Sequence, residues 1–545
     1  MQWVSQVTYN YNANYQWMQA PPAADSLGNT IQNSQQQQWN MSLNFIQLYN
    51  KFGIYRKITN PKQASATKPK NTEENKDPKA KGKKAKEDTG PDKYPVWVSI
   101  PVRLITSLKN VSGTYSTTNG TALPGFQPRT QVLGQNLDQQ APGIGFILGM
   151  QDPEFRFKAA QNGWISNDPR IVSPYLLNYQ EAITARAQIE PLEDFRIELN
   201  ATKNYSKNLT AYFRYDEDSN IFRDFGNPIE QGSYSISYSI LRTAFSAEDE
   251  NGVSEVFKQF QSNRMDIARR LAMERGLPLP ENPDSFPEGF GAFQQDVLIP
   301  AFLSAYRGVS TSSIGLTPFQ NFPIPNWRVT YNGLSKIDFI KEYASNVNIQ
   351  SSYQSNYNVA GFQTVMDTSR NTTLTTDFAP QYVIRQISIS ERFGPLIGID
   401  ITLVNNITTT FKYNRDRTLN LALGNRQLNE QSGEEFVIGI GYRTNKLVLP
   451  FEIGGRKRML NNDINFRFDF TIRENQTSVR NLDRPTSEPV SGQNVLSIKP
   501  TIDYNINEKL MLRIFYDRRR TNPFTSNSFP TVITSGGFSV RYTIQ

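Results

Sequence analysis

The chain opens on an unbroken alternation. Trp3, Ser5, Val7, Tyr9, Tyr11, Ala13, Tyr15 and Trp17 share one parity, and Gln2, Gln6, Thr8, Asn10, Asn12, Asn14 and Gln16 share the other. A period of two is the mark of a strand with one apolar and one polar face. Strands of soluble proteins average ~5–6 residues, whereas a strand that crosses a bilayer needs ~9–11. The aromatic residues at both ends fit the interfacial girdles of a membrane barrel.

The pattern recurs. Phe195, Ile197, Leu199 and Ala201 alternate with polar neighbours, and Leu209, Ala211, Phe213 and Tyr215 follow, as if after a short turn. Tyr234, Ile236, Tyr238 and Ile240 alternate with serines, and Val347, Ile349, Tyr353, Tyr357 and Val359 share a parity. The last third reads as a near-continuous meander, from Ile387 and Ile389 to Phe538, Val540, Tyr542 and Ile544. Short polar turns are expected at 414–417 and 505–509, and longer loops at 474–493 and 518–535. Roughly 16–19 strands are expected, with boundaries good to a few residues. The fold class is therefore all-β: a large antiparallel transmembrane β-barrel, present here in part, with helical and irregular insertions.

The same pass divides the chain. Residues 1–59 read as barrel strands, and 60–95 as a Lys-rich disordered loop. Residues 96–245 read as further strands around a Gly/Pro-rich excursion at 119–164. Residues 246–325 are a helical insertion, and 326–545 the C-terminal meander. Within the insertion, Val253, Val256, Phe257, Phe260, Ile267, Ala268 and Leu271 have helical spacing, and Gly276 and Pro278 end the run. A second helix is expected over 294–308. Such helices could plug a lumen, cap the outside or pack on a loop.

Composition narrows the function. Only 37% of the 545 residues are hydrophobic, and the mean hydropathy is −0.54. No window supplies the ~20 apolar residues of a spanning helix; the most apolar run, Val297–Leu303, is interrupted by Pro300. The chain has no cysteine and no histidine. That excludes disulfides, thiolate metal sites, Cys nucleophiles and any Ser-His-Asp hydrolase. Ten lysines against six acids between Pro61 and Pro95 carry half of the net charge of +8. The remainder is near balance, so no nucleic-acid face is expected.

No phosphate loop, dinucleotide fingerprint or EF-hand loop occurs, and the glycine-spaced run Gly143–Gly149 lacks a βαβ setting. Carboxylates in the strands fall on the polar parity, as Asp469 does beside Arg467. They read as charges in a wet pore rather than as a catalytic pair. No enzyme activity, cofactor or metal is expected. The N-terminal residues have neither the cationic nor the apolar region of an export signal. The expectation is a fragment, or half of a split polypeptide, whose signal lies upstream.

Several stretches resemble one family, the SprA gliding-motility and protein-secretion proteins of the Bacteroidetes outer membrane. They are LNFIQLYNKFGIYRKI (Leu43–Ile58), TNGTALPGFQP (Thr118–Pro128), APGIGFILGMQD (Ala141–Asp152) and NIQSSYQSNYNVAGF (Asn348–Phe362). The most specific run from Ile389 to Glu430, followed by EEFVIGIGYR (Glu434–Arg443). The resemblance covers nearly the whole chain and matches the C-terminal part of a much longer family. It implies part of the type IX secretion translocon, a very large barrel passing folded cargo, including gliding adhesins. The implied partners are outer-membrane lipid, the N-terminal remainder of the barrel, a PorV-like shuttle, a periplasmic plug protein and secreted cargo.

In that setting the polar parity would line the lumen, with candidates Asn10, Asn12, Ser235, Ser237, Asn348, Arg467, Asp469, Arg513 and Arg541. The opposite parity would face lipid, with candidates Tyr9, Tyr11, Phe466, Phe468, Phe470 and Tyr542. The alternatives are another outer-membrane transport barrel (porin-like, receptor or lipid exporter) or a soluble β-rich surface adhesin.

Overall fold

The computed structural model describes residues 3–59, 96–246, 254–364, 377–452, 457–460, 462–484, 487–524 and 528–544. The Lys-rich segment 60–95 and Val253 lie outside the described residues. The alternating segments become strands, apart from ends such as Tyr238, Ile240 and Ile544, which lie beyond the strands they follow. In chain order they are β1 (Val4–Met18), β2 (Asn29–Asn44), β3 (Leu108–Phe126), β4 (Tyr175–Leu192), β5 (Phe195–Ala211), β6 (Phe213–Asp216) and β7 (Ile221–Asp224). Then come β8 (Ile229–Ser237), β9 (Asn326–Tyr331), β10 (Ala344–Thr364), β11 (Tyr382–Ile384), β12 (Gln386–Leu403), β13 (Ile407–Ala422) and β14 (Gln427–Thr444). The last are β15 (Leu447–Glu452), β16 (Lys457–Leu460), β17 (Ile464–Asn481), β18 (Ser487–Asn505), β19 (Leu510–Pro523) and β20 (Thr531–Tyr542).

Sixteen of these strands form one sheet, ordered β1-β2-β3-β4-β5-β8-β10-β12-β13-β14-β17-β18-β19-β20, with β9 and β11 beside β10. Its pairings are antiparallel throughout. Hairpins β6–β7 and β15–β16 stand apart. Strands β8 and β9 share one lane, because both pair with β5 and with β10. The chain leaves that lane after Ser237 and re-enters it at Asn326. The architecture is all-β and barrel-like, and no helix of the described residues is long and apolar enough to cross a membrane.

The strands exceed the expected length. At ~3.3 Å per residue the 21 residues of β10 extend about 70 Å, more than twice the ~30 Å hydrocarbon core of a bilayer. Residues 414–417, expected as a turn, lie inside β13, and Phe195 to Ala211 is one strand without a break. The loop expected at 474–493 is mostly β17 and β18, and that at 518–535 loses residues to β19 and β20. Charged residues on the apolar parity, such as Arg415 and Arg417, interrupt the alternation without interrupting the backbone.

Other boundaries move too. Phe45–Tyr49, Gly53–Thr59 and Val96–Ile105 are short helices rather than strand. Because β3 runs to Phe126, the excursion begins after it and ends before β4.

Two modules cover one end of the sheet. The excursion packs Phe146, Phe155, Ala159 and Ile165 onto Ile31, Leu123, Tyr175 and Ala211. The helical insertion packs onto Tyr234, Ile236, Tyr357, Val359, Ile387, Ile389, Leu419, Leu421 and Leu428. Its long helix, Glu255–Glu274, is capped by Ser254, whose hydroxyl accepts from the Phe257 N–H at 3.4 Å. Its apolar helix, Gln295–Arg307, is buried continuously from Val297 to Tyr306 and ends at Gly308, where φ is 67°. A helix buried all round needs protein on every side. Here the sheet covers part of it and the long helix covers more, with the Phe260 and Phe302 rings 5.8 Å apart.

Candidate functional site

In an antiparallel ladder, residues directly opposite one another share a face, so the register carries a face from strand to strand. Starting at Tyr11, the row runs through Gln37, Thr117, Glu181, Tyr205 and Tyr234. It continues through Val359, Ile387, Leu421 and Leu428 to Arg480. Parallel rows put Phe466 beside Tyr442 and Ile502, and Ile502 beside Ile514, whose partner is Phe538. Tyr542 faces Leu510 on the same side. The apolar parities of all the main strands thus form one continuous face, and the polar parities form the other.

All six residues expected to meet lipid lie on the apolar face. Tyr9, Tyr11, Phe468 and Tyr542 are exposed, and Phe466 and Phe470 are half-buried. They belong to a bare band at one end of the sheet. In β14 that band is Phe436, Ile438, Ile440 and Tyr442; in β19 and β20 it includes Ile514, Tyr516, Phe538 and Val540. Beyond it, the first charged residues on this face are Glu181, Lys203, Arg415, Glu434, Glu474 and Arg518.

The Tyr11 row reaches β14 at Leu428, whereas the first bare aromatic residue of β14 is Phe436, eight positions further along (436 − 428) after nine strand-to-strand steps. A band lying in one plane therefore requires a stagger of about one residue per strand, near the ~35–45° tilt of barrel strands.

The nine residues expected to line a lumen all lie on the polar face. Asn10 and Asn12 are exposed, and Ser235 and Asn348 are half-buried. Arg467 pairs with Asp469 at 2.7 Å, Arg513 with Asp503 at 2.6 Å, and Arg541 is exposed. Ser237 is a correction. It is fully buried, and its hydroxyl accepts from the Thr202 N–H at 2.9 Å where the lane breaks. It offers no surface to a lumen. The rest of the polar face changes character along the sheet. From β1 to β10 it is mainly Asn, Gln, Ser and Thr, and from β12 to β20 it gains ion pairs such as Lys499–Asp517 at 3.2 Å.

The parity reading missed a buried ionic cluster on the apolar face, under the helical insertion. Arg417 Nη2 lies 2.6 Å from Glu391 Oε1, and Arg480 Nη2 lies 3.3 Å from Glu430 Oε2. Tyr353 Oη donates to Glu391 at 3.1 Å and accepts from the Ile240 N–H at 3.0 Å. Arg417 also reaches Thr243 Oγ1 at 3.4 Å. Sheet and insertion are thus joined by polar contacts as well as apolar ones. The available signal was charge on an otherwise apolar parity.

Among the described residues, no group of three or more acidic side chains could hold a metal ion. The chemistry on display is that of a surface: hydrogen-bonding groups and paired charges on one side, and mainly hydrocarbon on the other. Compared with known proteins, the chain matches no family model and no curated relative.

Proposed function

We propose that this chain forms part of the wall of an outer-membrane protein-conducting channel, the type IX secretion translocon to which its resemblance to the SprA family points. The observation that carries the reading is the continuity of two opposite faces across fourteen paired strands. The bare band suits lipid. Four alternating residues, Phe466 to Ile472 in β17, span about 20 Å at ~3.3 Å per residue, close to the ~25 Å apolar band of membrane barrels. The polar face suits a conduit, because Asn, Gln, Ser and Thr present hydrogen bonds without a strong field and hold a passing protein weakly. A wide sheet suits folded cargo, since lumen diameter grows with strand number.

In this reading β1 and β20, each paired on one side only among the described residues, are completed by the remainder of the barrel. A PorV-like shuttle and a periplasmic plug protein meet the assembled channel. The test is affinity purification of the full-length protein from detergent-solubilised outer membranes. Recovery with a PorV-like partner, and loss of cargo export when the gene is deleted, are expected. Release from cells without detergent, or unchanged export after deletion, would overturn the reading.

A further inference from the structure

Two strands carry the same run on the apolar face. In β13 it is Tyr413, Arg415 and Arg417 at alternate positions, and in β19 it is Tyr516, Arg518 and Arg520. Over β13 the helical insertion supplies rings. Phe245 lies 4.9 Å from the Arg415 guanidinium, and Tyr306 lies 6.0 Å from that of Arg417. The adjoining strands supply carboxylates, with Glu434 3.5 Å from Arg415 and Glu391 2.6 Å from Arg417.

Arg518 and Arg520 have neither. Both are exposed, and their register partners are Ile498 and Leu496 in β18 and Thr534 and Val532 in β20. The nearest carboxylate on this face by register, Glu474, stands on β17, two strands away. Among the described residues neither arginine has an ion pair, and Arg520 donates only to its strand neighbour Asn522, at 3.2 Å.

The rows that pass beneath the insertion continue to this place. From Arg415 the register runs through Glu434, Glu474 and Asn494 to Asn522. From Arg417 it runs through Ser432 and Gln476 to Gly492, whose carbonyl accepts from the Phe524 N–H at 2.8 Å and against which the Phe524 ring packs. There the cover stops: Phe524 is 52% and Val532 53% exposed. The connections at this end, 482–486 and 524–530, are too short to fold over the face as segment 238–325 does over β13. Apolar side chains in rows that protein covers elsewhere call for the same cover. Guanidinium groups withdrawn from water without a counter-charge are strongly unfavourable. The adjoining strands hold no acid on this face, so the cover must bring carboxylates of its own.

We propose that the apolar face over β18–β20, at Arg518, Arg520, Phe524 and Val532, docks a second polypeptide. That partner places carboxylates on the two guanidiniums and an aromatic side chain over one of them, as Phe245 lies over Arg415. The inference goes beyond the channel reading and needs no lipid at the bare band.

The test places a photocrosslinker on this face, as Val532→p-benzoylphenylalanine, in the full-length protein in native outer membranes. Irradiation should link it to a separate polypeptide, through a segment holding Asp or Glu close to Phe, Tyr or Trp. Reversing both charges, Arg518→Glu with Arg520→Glu, should cut the yield at least ~10-fold, as loss of buried interfacial charge pairs does. Arg519→Glu, which lies between them but on the polar face, should change it by less than ~2-fold. If the double reversal lowers the amount of folded, heat-modifiable protein, Arg518→Gln with Arg520→Gln takes its place, with the same direction of loss. A link to lipid, a link within the same chain, no link at all, or a yield indifferent to positions 518 and 520 would each overturn the proposal. Phe468→p-benzoylphenylalanine tests the membrane reading separately, because it should link to lipid. Failure at 468 with an acidic polypeptide still captured at 532 would sink that reading and leave this proposal standing.

Discussion

The two halves of the apolar face are built on the same alternation yet meet different surroundings. In the sheltered half, Tyr357, Ile389, Leu419 and Leu421 are buried under the helical insertion. In the bare half, Ile438, Ile440 and Phe468, on the same parity, remain 39–46% exposed. The charges differ as well. Those on the sheltered side, Glu391, Arg417 and Arg480, are buried and paired, whereas the bare band is flanked by charges without containing them. An apolar strand face therefore says that something must cover it, but not whether protein or lipid does so.

Substitutions can break this difference, and the largest effects are expected in the sheltered half. Phe302→Ala removes a ring buried between the two helices and the sheet. It should destabilise the insertion by ~3–5 kcal/mol, read as protease cleavage within 238–325 at lower denaturant concentration than wild type. The same change at Phe468 should leave that cleavage unaltered.

Arg417→Met strands Glu391, which is 4% exposed, without its partner at 2.6 Å. Breaking a buried pair this way costs ~3–5 kcal/mol. The double variant Arg417→Met, Glu391→Gln should recover much of that in the same denaturation assay. Failure to recover would mean that the pair is held by packing rather than by charge.

In the bare half, Phe468→Arg puts a charge into the band and should cost ~2–4 kcal/mol of membrane stability. The change should appear as reduced heat-modifiable, folded protein on cold gels. The neighbouring Arg467→Gln, on the polar face in an exposed pair with Asp469, should shift it by less than ~1 kcal/mol. Equal effects at 467 and 468 would reverse or abolish the face assignment.

The smallest effect concerns pH. Burial raises the Asp296 carboxyl above its usual value, against the opposing pull of the Gln295 hydrogen bond and the Arg275 charge. The folded state then holds this proton more tightly than the unfolded state. Its contribution is most favourable below the unfolded carboxylate value and declines as pH rises through the folded one. Asp296→Asn should flatten that decline in denaturant midpoints measured across the acidic range; an unchanged slope would assign it to other groups.

Much of the sheet was legible in advance. The parity of Tyr9, Tyr11, Phe466, Phe468 and Tyr542 was plain, because a strand face is written every second residue. The strand ends were less so. At Arg415 and Arg417 the chain crosses from the bare to the sheltered half, and the charges there imitate a turn. Ser237 was misread because its parity was right but its setting was not: it lies where the lane breaks, hydrogen-bonded to Thr202. The helical insertion was recognisable as helix from its periodicity, yet its resting place was open among plug, cap and packing. It lies on the apolar face.

Local alternation by itself determined that the chain is a set of long two-faced strands with two insertions, since period and face are properties of successive residues. Which strands adjoin, that their faces agree across the whole sheet, and which half of the apolar face is covered were decided only by tertiary structure. Register and coverage depend on residues far apart in the chain, as Tyr11 is from Leu428 and Phe302 from Leu419, and no local pattern records such distances.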